Sequence, residues 1–286
     1  MRAGIYHGPK DIRVEDVPDP RIVDATDAVV RITHACICGS DLWFYRGVAA
    51  NWKPGWRTGH EFAGVVEAVG ADVTSVKPGQ AVIAPFVYSD GTCEFCLAGL
   101  QTSCPNGSAW GGADDDGGQG EAARVPFADA TLVAIPDNAL SDDDLMRSIL
   151  PLTDVMGTGH HAAVAAEVDE GSIVAVVGDG AVGLCGVLAA ARLGAERIVM
   201  LGHHDDRLEL ARRFGATDVV TSRDDEAIEE VQEMTSGGVE SVLECVGNQS
   251  SMDTAIGIAR PGGTVGFVGV PHGVDALDVR RMFGEN

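Results

Sequence analysis

Cysteines at metal-ligand spacing are the first feature of this sequence that could do chemistry. Cys93 and Cys96 form a Cys-x-x-Cys pair, and Cys104 follows further along the same segment. Thiolates at such spacings are typical zinc ligands. The seven cysteines are odd in number and no signal peptide is expected ahead of them, so a disulfide framework is not expected. The spacing favours a metal-binding loop, and a loop of reduced thiols without metal is the alternative.

A glycine-rich turn, Gly178-x-Gly180-x-x-Gly183, is the second such feature. It follows the apolar run 172–177 and precedes apolar residues at helical spacing over 184–191. In this strand–turn–helix context the glycines predict the phosphate-binding loop of a dinucleotide site, with the helix N-terminus facing the pyrophosphate. A glycine-rich turn that binds no ligand is the alternative.

The form of the dinucleotide is predicted from the end of the next strand, 197–201. NAD sites usually carry Asp or Glu there to bind the ribose 2′-hydroxyl, whereas this sequence has Gly202. The missing carboxylate favours NADP over NAD. If Asp205 or Asp206 reached the ribose instead, NAD would be used. The positive partners predicted for a 2′-phosphate are Arg207 with His203 or His204.

Two different hydrophobic patterns position these features. Short apolar runs separated by turn signals predict a β-rich barrel or sandwich over residues 1–150. From about residue 150, buried strands alternate with helical stretches, which predicts a doubly wound, parallel α/β sheet over 151–286. The strands predicted in the two halves are 28–32, 64–70, 80–84, 172–177, 197–201, 218–220, 240–244 and 264–268.

The net charge of the chain makes some classes of binding partner improbable. Lys and Arg number 20 against 43 Asp and Glu, which gives a net charge of −23. Such a chain repels phosphate backbones and anionic lipid, so neither nucleic acid nor a membrane is an expected partner. The excess of Asp over Lys favours a halophilic protein of a salt-rich cytoplasm, with an ordinary acidic enzyme as the alternative. No apolar run reaches the length of about 20 residues that spans a bilayer.

Several ordered segments of the chain strongly resemble medium-chain zinc-dependent alcohol dehydrogenases. They are Cys36-Ile-Cys38-Gly-Ser40-Asp41, Gly59-His60-Glu61-Phe-Ala-Gly64, Leu152-Thr-Asp154-Val155, the glycine turn, and Glu244-Cys245-Val246-Gly247. The resemblance implies a GroES-like catalytic domain followed by a Rossmann domain. Relatives continue for some tens of residues beyond the equivalent of Asn286, so the Rossmann domain is expected to be incomplete at its C-terminus. A homo-oligomer is expected from the family, although a truncated chain would lack part of that interface.

The resemblance also implies the roles of the residues near the metal. Cys38, His60 and Asp154 are the implied ligands of a catalytic zinc, with Glu61 behind the ion and Ser40 as the hydroxyl that takes the proton of the alcohol. Taken alone, Cys38 would be read as a buried thiol and His60 as a core histidine. In relatives with a structural zinc, four cysteines occupy the second cluster. Here the first of them is replaced, so the implied set is Asp90, Cys93, Cys96 and Cys104.

The implied reaction is hydride transfer between an alcohol, or the corresponding aldehyde or ketone, and a nicotinamide cofactor. A metal-independent quinone or enone reductase of the same superfamily and a non-catalytic nucleotide-binding remnant are the alternatives. The sequence does not identify the alcohol. The residues expected to contact the cofactor, besides the glycines and the residues after 201, are Thr158, Ala181, Val182, Cys245, Val246, Val268, Gly269 and Val270.

Overall fold

The computed structural model describes residues 1–48, 52–111 and 115–285. Two compact units are present, Met1–Asp154 and Val155–Asn286. They divide after Asp154, whereas the residue pattern placed the boundary after residue 150. The difference arises because the 3-10 turn Leu150–Thr153 belongs with the first unit, where the Phe86 N–H donates to the Thr153 carbonyl at 2.9 Å.

The first unit is built on antiparallel strands. Its main sheet has the order β8-β3-β4-β5-β9, while β1 pairs with β2 and β6 with β7. The strands are β1 Arg2–Gly8, β2 Asp11–Asp16, β3 Ala28–Ala35, β4 Phe62–Val69, β5 Ala81–Ala84, β6 Val87–Tyr88, β7 Ser108–Ala109, β8 Ala122–Val125 and β9 Val133–Ala134. The helices are α1 Asp41–Arg46, α2 Glu94–Leu97, α3 Ala128–Thr131 and α4 Asp143–Ile149.

Strand register in this sheet brings distant parts of the sequence together. β3 and β4 are antiparallel, and Ala35 at the end of β3 pairs with Phe62 at the start of β4. The segments just outside this pair, which hold Cys38 and His60, therefore leave the sheet at the same end. Alternation of buried and exposed residues fixes the register, because a slip of one residue would turn Val30 and Val66 out of the core.

The second unit is a parallel sheet covered by helices. Its strand order is β12-β11-β10-β13-β14, so the direction of winding reverses between β10 and β13. The strands are β10 Ile173–Val177, β11 Arg197–Leu201, β12 Asp218–Val220, β13 Val239–Glu244 and β14 Ala259–Phe267. The helices are α5 Val155–Ala165, α6 Ala181–Leu193, α7 Asp205–Phe214, α8 Asp224–Met234, α9 Gln249–Ile258 and α10 Val279–Glu285. In such sheets, ligands bind beyond the carboxyl ends of the strands at the reversal.

β14 differs from the predicted strand. The turn residues Pro261 and Gly262 led to a predicted start at Thr264, but the strand begins at Ala259. Val239 of β13 pairs with Ala259, and the ladder then resumes with Ser241 opposite Thr264. The turn residues therefore form an irregular insertion inside the strand. None of the helices in the described ranges is both long and apolar enough to cross a membrane.

Candidate metal and dinucleotide sites

The first unit brings Cys38, His60 and Asp154 into one cluster. One ligand atom from each, a thiol sulfur, an imidazole nitrogen and a carboxylate oxygen, can be chosen so that all lie within 4.8 Å of one another. The Asp154 Oδ2 atom is 3.3 Å from His60 Nε2 and 3.7 Å from Cys38 Sγ. All three residues are half-buried. One sulfur, one nitrogen and one oxygen donor at these separations are a competent zinc ligand set.

Asp41 orients two of these residues, a role that sequence reasoning missed. Its Oδ1 atom lies 3.2 Å from His60 Nδ1, on the side of the ring opposite Nε2, the nitrogen that faces Asp154. Its Oδ2 atom accepts a hydrogen bond from the Cys38 N–H at 2.9 Å. A carboxylate behind a ligating histidine fixes the ring and its tautomer. The signal was present in the sequence, because Asp41 follows Cys38 by three residues and opens α1.

The electrostatics of the cluster favour a bound cation. Burial alone would lower the pKa of His60, yet hydrogen bonds to Asp154 and Asp41 outweigh it and raise that pKa to about 12. Burial and the Asp154 charge raise the pKa of Glu61 to about 7. The carboxylates of Asp154 and Asp41 thus stabilise a positive charge on the His60 ring, although burial of that charge is unfavourable. A divalent cation would supply the same positive charge beside these carboxylates, so the residues of the cluster fit zinc.

Ser40 lies beside the Cys38/His60/Asp154 cluster. Its hydroxyl oxygen lies 3.4 Å from His60 Nε2, next to the three candidate ligand atoms. Ser40 is the residue before α1, whose first turn includes Trp43. The hydroxyl is therefore close enough to exchange a proton with a group bound at the cluster.

The second cluster lies in the segment that connects β6 to β7. Asp90, Cys93, Cys96 and Cys104 each offer an atom within 4.8 Å of the others. The Sγ atoms of Cys93 and Cys104 are 3.8 Å apart, and the Asp90 N–H donates to Cys104 Sγ at 3.4 Å. Backbone N–H groups also point at sulfur, as that of Cys96 does toward Cys93. Convergent thiols with amide donors are typical of a structural zinc loop.

Asp90 is built into this cluster as an ordered acceptor. Its Oδ1 atom accepts hydrogen bonds from the N–H groups of Thr92 and Cys93 at 2.8 and 2.9 Å, and its Oδ2 atom accepts one from Asn106 at 2.6 Å. The Asn106 bond and the two backbone bonds lower the pKa of Asp90 well below its ordinary value. The carboxylate is therefore charged at neutral pH. A fixed, charged oxygen can replace the sulfur of a fourth cysteine as a zinc ligand.

The glycine turn of the second unit has the geometry that phosphate binding requires. Gly178 has a φ of +110°, and a Cβ on Gly183 would lie 1.8 Å from the Gly178 carbonyl oxygen. A Cβ on Gly180 would meet no atom within 4 Å, so the backbone there faces open space. Gly180 is also the N-cap of α6 and gives that helix no side-chain cap. Open amide groups at the start of a long helix fit a pyrophosphate.

The other predicted cofactor residues fall at the corresponding ends of the second unit's elements. The N–H groups of Val268 and Gly269 donate to the Glu244 carbonyl at 2.9 and 3.2 Å, which ties the end of β14 to the end of β13. A Cβ on Gly269 would lie 2.2 Å from the Gly247 nitrogen, so the two segments touch. Ala181 and Val182 lie in the first turn of α6, and Thr158 lies in α5. Cys245 and Val246 follow β13, and Val270 follows β14.

The end of β11 holds a carboxylate that sequence reasoning missed. Gly202, His203 and Arg207 lie there as predicted, with Gly202 buried and the other two exposed. However, the side chain of Asp179, from the middle of the glycine turn, reaches this point and accepts a hydrogen bond from the His203 N–H at 2.7 Å. The end of β11 therefore has no acidic residue of its own, but the carboxylate of Asp179 lies there.

A parallel sheet with a glycine turn, together with a Cys/His/Asp cluster on a β-rich unit, is the architecture of the two-domain, zinc-type dehydrogenases. Two family profiles match the chain, "Alcohol dehydrogenase GroES-like domain" over residues 24–137 and "Zinc-binding dehydrogenase" over 181–286. A medium chain reductase/dehydrogenase of Acremonium sp. is 35% identical over 95% of this chain and 94% of its own length.

Solved structures agree with this class. Zinc dependent alcohol dehydrogenase 2 from Streptococcus pneumonia has 34% identity and a TM-score of 0.88, covering 100% of this chain and 81% of that one. A protein of Sinorhizobium meliloti 1021, assigned as a zinc-binding dehydrogenase and solved with NADP, has 27% identity and a TM-score of 0.82, covering 99% and 81%. The chain spans 94% of the length of the Acremonium relative and 64% of that of a zinc-type alcohol dehydrogenase of Aspergillus flavus.

The chain belongs to the medium-chain, zinc-type alcohol dehydrogenase family. The prediction of a GroES-like domain joined to a Rossmann domain is confirmed by the two profiles and by the antiparallel and parallel sheets. The membership also makes the protein a relative of oxidoreductases.

Proposed function

We propose that this protein is a zinc-dependent alcohol dehydrogenase that transfers a hydride between an alcohol, or its aldehyde or ketone, and a nicotinamide cofactor. The observation that carries the proposal is the convergence of Cys38, His60 and Asp154 within 4.8 Å. These three would hold the ion, which supplies a Lewis acid that polarises the carbon–oxygen bond of the substrate. The four-residue cluster Asp90, Cys93, Cys96 and Cys104 would hold a second, structural zinc.

The chain's own residues have separate tasks in this proposal. Ser40, 3.4 Å from His60 Nε2, receives the proton that the alcohol loses. Asp41 keeps the His60 ring in one orientation, so the nitrogen that faces the cluster is the one without a proton when metal is bound. Glu61 is 2% exposed and adds negative charge behind the cluster when ionised.

The cofactor is proposed to lie on the glycine turn of the second unit. Gly180 presents open backbone, and the tight Gly178–Gly183 contact fixes the start of α6 toward the pyrophosphate. Gly202 favours NADP over NAD in the sequence, and the Sinorhizobium relative was solved with NADP. The proposed hydride transfer is the same for either dinucleotide.

Metal content measured beside activity tests the proposal. Zinc would be quantified in the purified chain and in Cys38→Ser, with Cys36→Ser as the matched control. Cys36 is a half-buried thiol two residues away that lies outside both clusters. We expect Cys38→Ser to lose one zinc per chain and alcohol oxidation, and Cys36→Ser to keep both.

The activity assay would compare primary, secondary and polyol substrates with NADP and NAD at low and high salt. Alcohol oxidation by a protein that holds no zinc, or equal zinc content in Cys38→Ser and the parent, would refute the metal assignment. Reduction of quinones or enones without zinc would support the alternative class. Zinc and NADPH bound without any alcohol oxidation would indicate the non-catalytic remnant.

A further inference from the structure

The carboxylate of Asp179 is bound against the end of β11 and the start of α7. Its Oδ2 atom accepts hydrogen bonds from the N–H groups of His203 and His204 at 2.7 and 2.9 Å. The His204 ring nitrogen Nδ1 is 2.9 Å from the same oxygen. Asp179 is only 7% exposed, so its position is determined by the fold rather than by solvent. A loop residue thus contributes the negative charge at the strand end.

The Asp179 side chain fits at the end of β11 because residue 202 is a glycine. A Cβ on Gly202 would lie 2.5 Å from the Cβ of Asp179 and 2.7 Å from its Oδ2 atom. No side chain at position 202 fits while Asp179 occupies this place. The glycine and the aspartate are therefore one arrangement, in which an acid from the loop replaces an acid from the strand.

Asp179 also contacts basic side chains that were predicted to bind a 2′-phosphate. Arg207 Nη1 lies 3.5 Å from Asp179 Oδ1, and His204 lies against both carboxylate oxygens. Burial opposes ionisation, but the hydrogen bonds from His204 and from the backbone of His203 outweigh it and lower the pKa of Asp179. The group is charged at neutral pH. Because Oδ2 already has three donors, Oδ1 retains the greater capacity to accept another.

We propose that Asp179 determines cofactor choice and selects NAD over NADP. Its Oδ1 atom accepts a hydrogen bond from the unphosphorylated adenosine ribose, and its charge repels a 2′-phosphate while holding His204 and Arg207. The inference rests on the proposed dinucleotide site. It runs against the NADP preference drawn from Gly202, because that preference assumed that no carboxylate was present.

Direct binding measurements test the inference without relying on turnover. Dissociation constants for NADH and NADPH would be measured by nicotinamide fluorescence on the full chain and on Asp179→Asn. A charge within about 4–6 Å shifts an ionisation equilibrium by roughly one to three powers of ten. We therefore expect the parent to bind NADH on the order of tenfold more tightly than NADPH, and Asp179→Asn to lose or invert that ratio.

Glu209→Gln is the matched control. Glu209 is an exposed acid of α7, the helix that also holds Arg207, and it pairs with Arg212 rather than with the end of β11. The NADH-to-NADPH ratio of this variant should equal that of the parent. Both constants come from one sample, so a partly unfolded fraction cancels in the ratio. Tighter binding of NADPH by the parent, or an unchanged ratio in Asp179→Asn, would overturn the inference.

Arg207→Gln keeps the test decisive if Asp179→Asn does not fold. Arg207 is exposed, and its removal leaves the Asp179 contacts with the backbone in place. If Asp179 sets the preference, this variant still prefers NADH. A loss of NADPH affinity of about tenfold or more would show that Arg207 binds the phosphate freely, and would contradict the inference. Failure of the parent to bind either dinucleotide would instead refute the dinucleotide part of the proposed function.

Discussion

Replacing Asp41 with asparagine should weaken zinc binding at the Cys38/His60/Asp154 cluster although no ligand atom is removed. The two oxygens of Asp41 serve three donors, His60 Nδ1 at 3.2 Å, the Cys38 N–H at 2.9 Å and Gln119 Nε2 at 3.4 Å. Asparagine has one acceptor oxygen, so its NH₂ group must face one of these donors. Because the Asp41 side chain is only 9% exposed, water is poorly placed to compensate.

The expected loss follows from the unsatisfied donor. Leaving one buried donor without a partner costs about 1–3 kcal/mol. Each 1.4 kcal/mol is about a factor of ten in an equilibrium constant, so zinc affinity should fall roughly tenfold to a hundredfold. Loss of a carboxylate behind a ligating histidine has an effect of about the same size in other zinc sites.

The assay is competition for zinc against a chelator of known affinity at neutral pH. Both the parent and the variant would carry Cys93→Ser, so that the second cluster does not contribute to the titration. Asp144→Asn, which removes an exposed acid from α4, is the control for a general change in charge. A zinc affinity of Asp41→Asn within twofold of the parent would refute the positioning role, as would an equal loss in the control.

Two further substitutions test the fold. Gly183→Ala should destabilise the second unit by about 1–3 kcal/mol in denaturant unfolding, because its Cβ would overlap the Gly178 carbonyl; Gly180→Ala, whose Cβ meets no atom within 4 Å, should not. Asp129→Asn should lower Tm by about 2 °C or more at pH 7, since its carboxylate accepts hydrogen bonds from residues 74–75. Burial opposes its charge, yet those bonds lower the pKa of Asp129 to about 2 from an ordinary 3.8. The stabilisation is therefore full above about pH 4 and is lost as the pH falls through 2. An equal Tm difference at pH 7 and pH 2 would contradict this assignment.

Most strands could be predicted from the sequence because their burial is encoded locally. The alternation in β3 and β4 and the continuous apolar runs of β10 and β11 indicate one-sided and two-sided burial. The start of β14 could not be predicted, since turn residues inside the strand resemble its boundary. The pairing of Ala35 with Phe62 could not be predicted from the sequence either, because strand register depends on contacts between distant segments.

The metal cluster illustrates the same limit in the functional site. Cys93, Cys96 and Cys104 lie close in sequence, so their spacing alone suggested a metal loop. Cys38 and His60 are joined only by the antiparallel register of β3 and β4, and no spacing rule predicts them. Family resemblance supplied that pair, and the structure then added Asp41, whose role depends on the local turn before α1.

The dinucleotide site shows that a motif leaves out part of the site when one position is considered alone. The glycine fingerprint treats its second residue as variable, and the rule for the ribose considers only the end of the second strand. Here the variable residue is Asp179, and its carboxylate reaches the backbone of His203. A carboxylate has the same effect on a nearby phosphate whichever element supplies it. On the inference drawn above, cofactor preference depends on all the charges around Gly202, and Asp179 adds a buried negative charge to them.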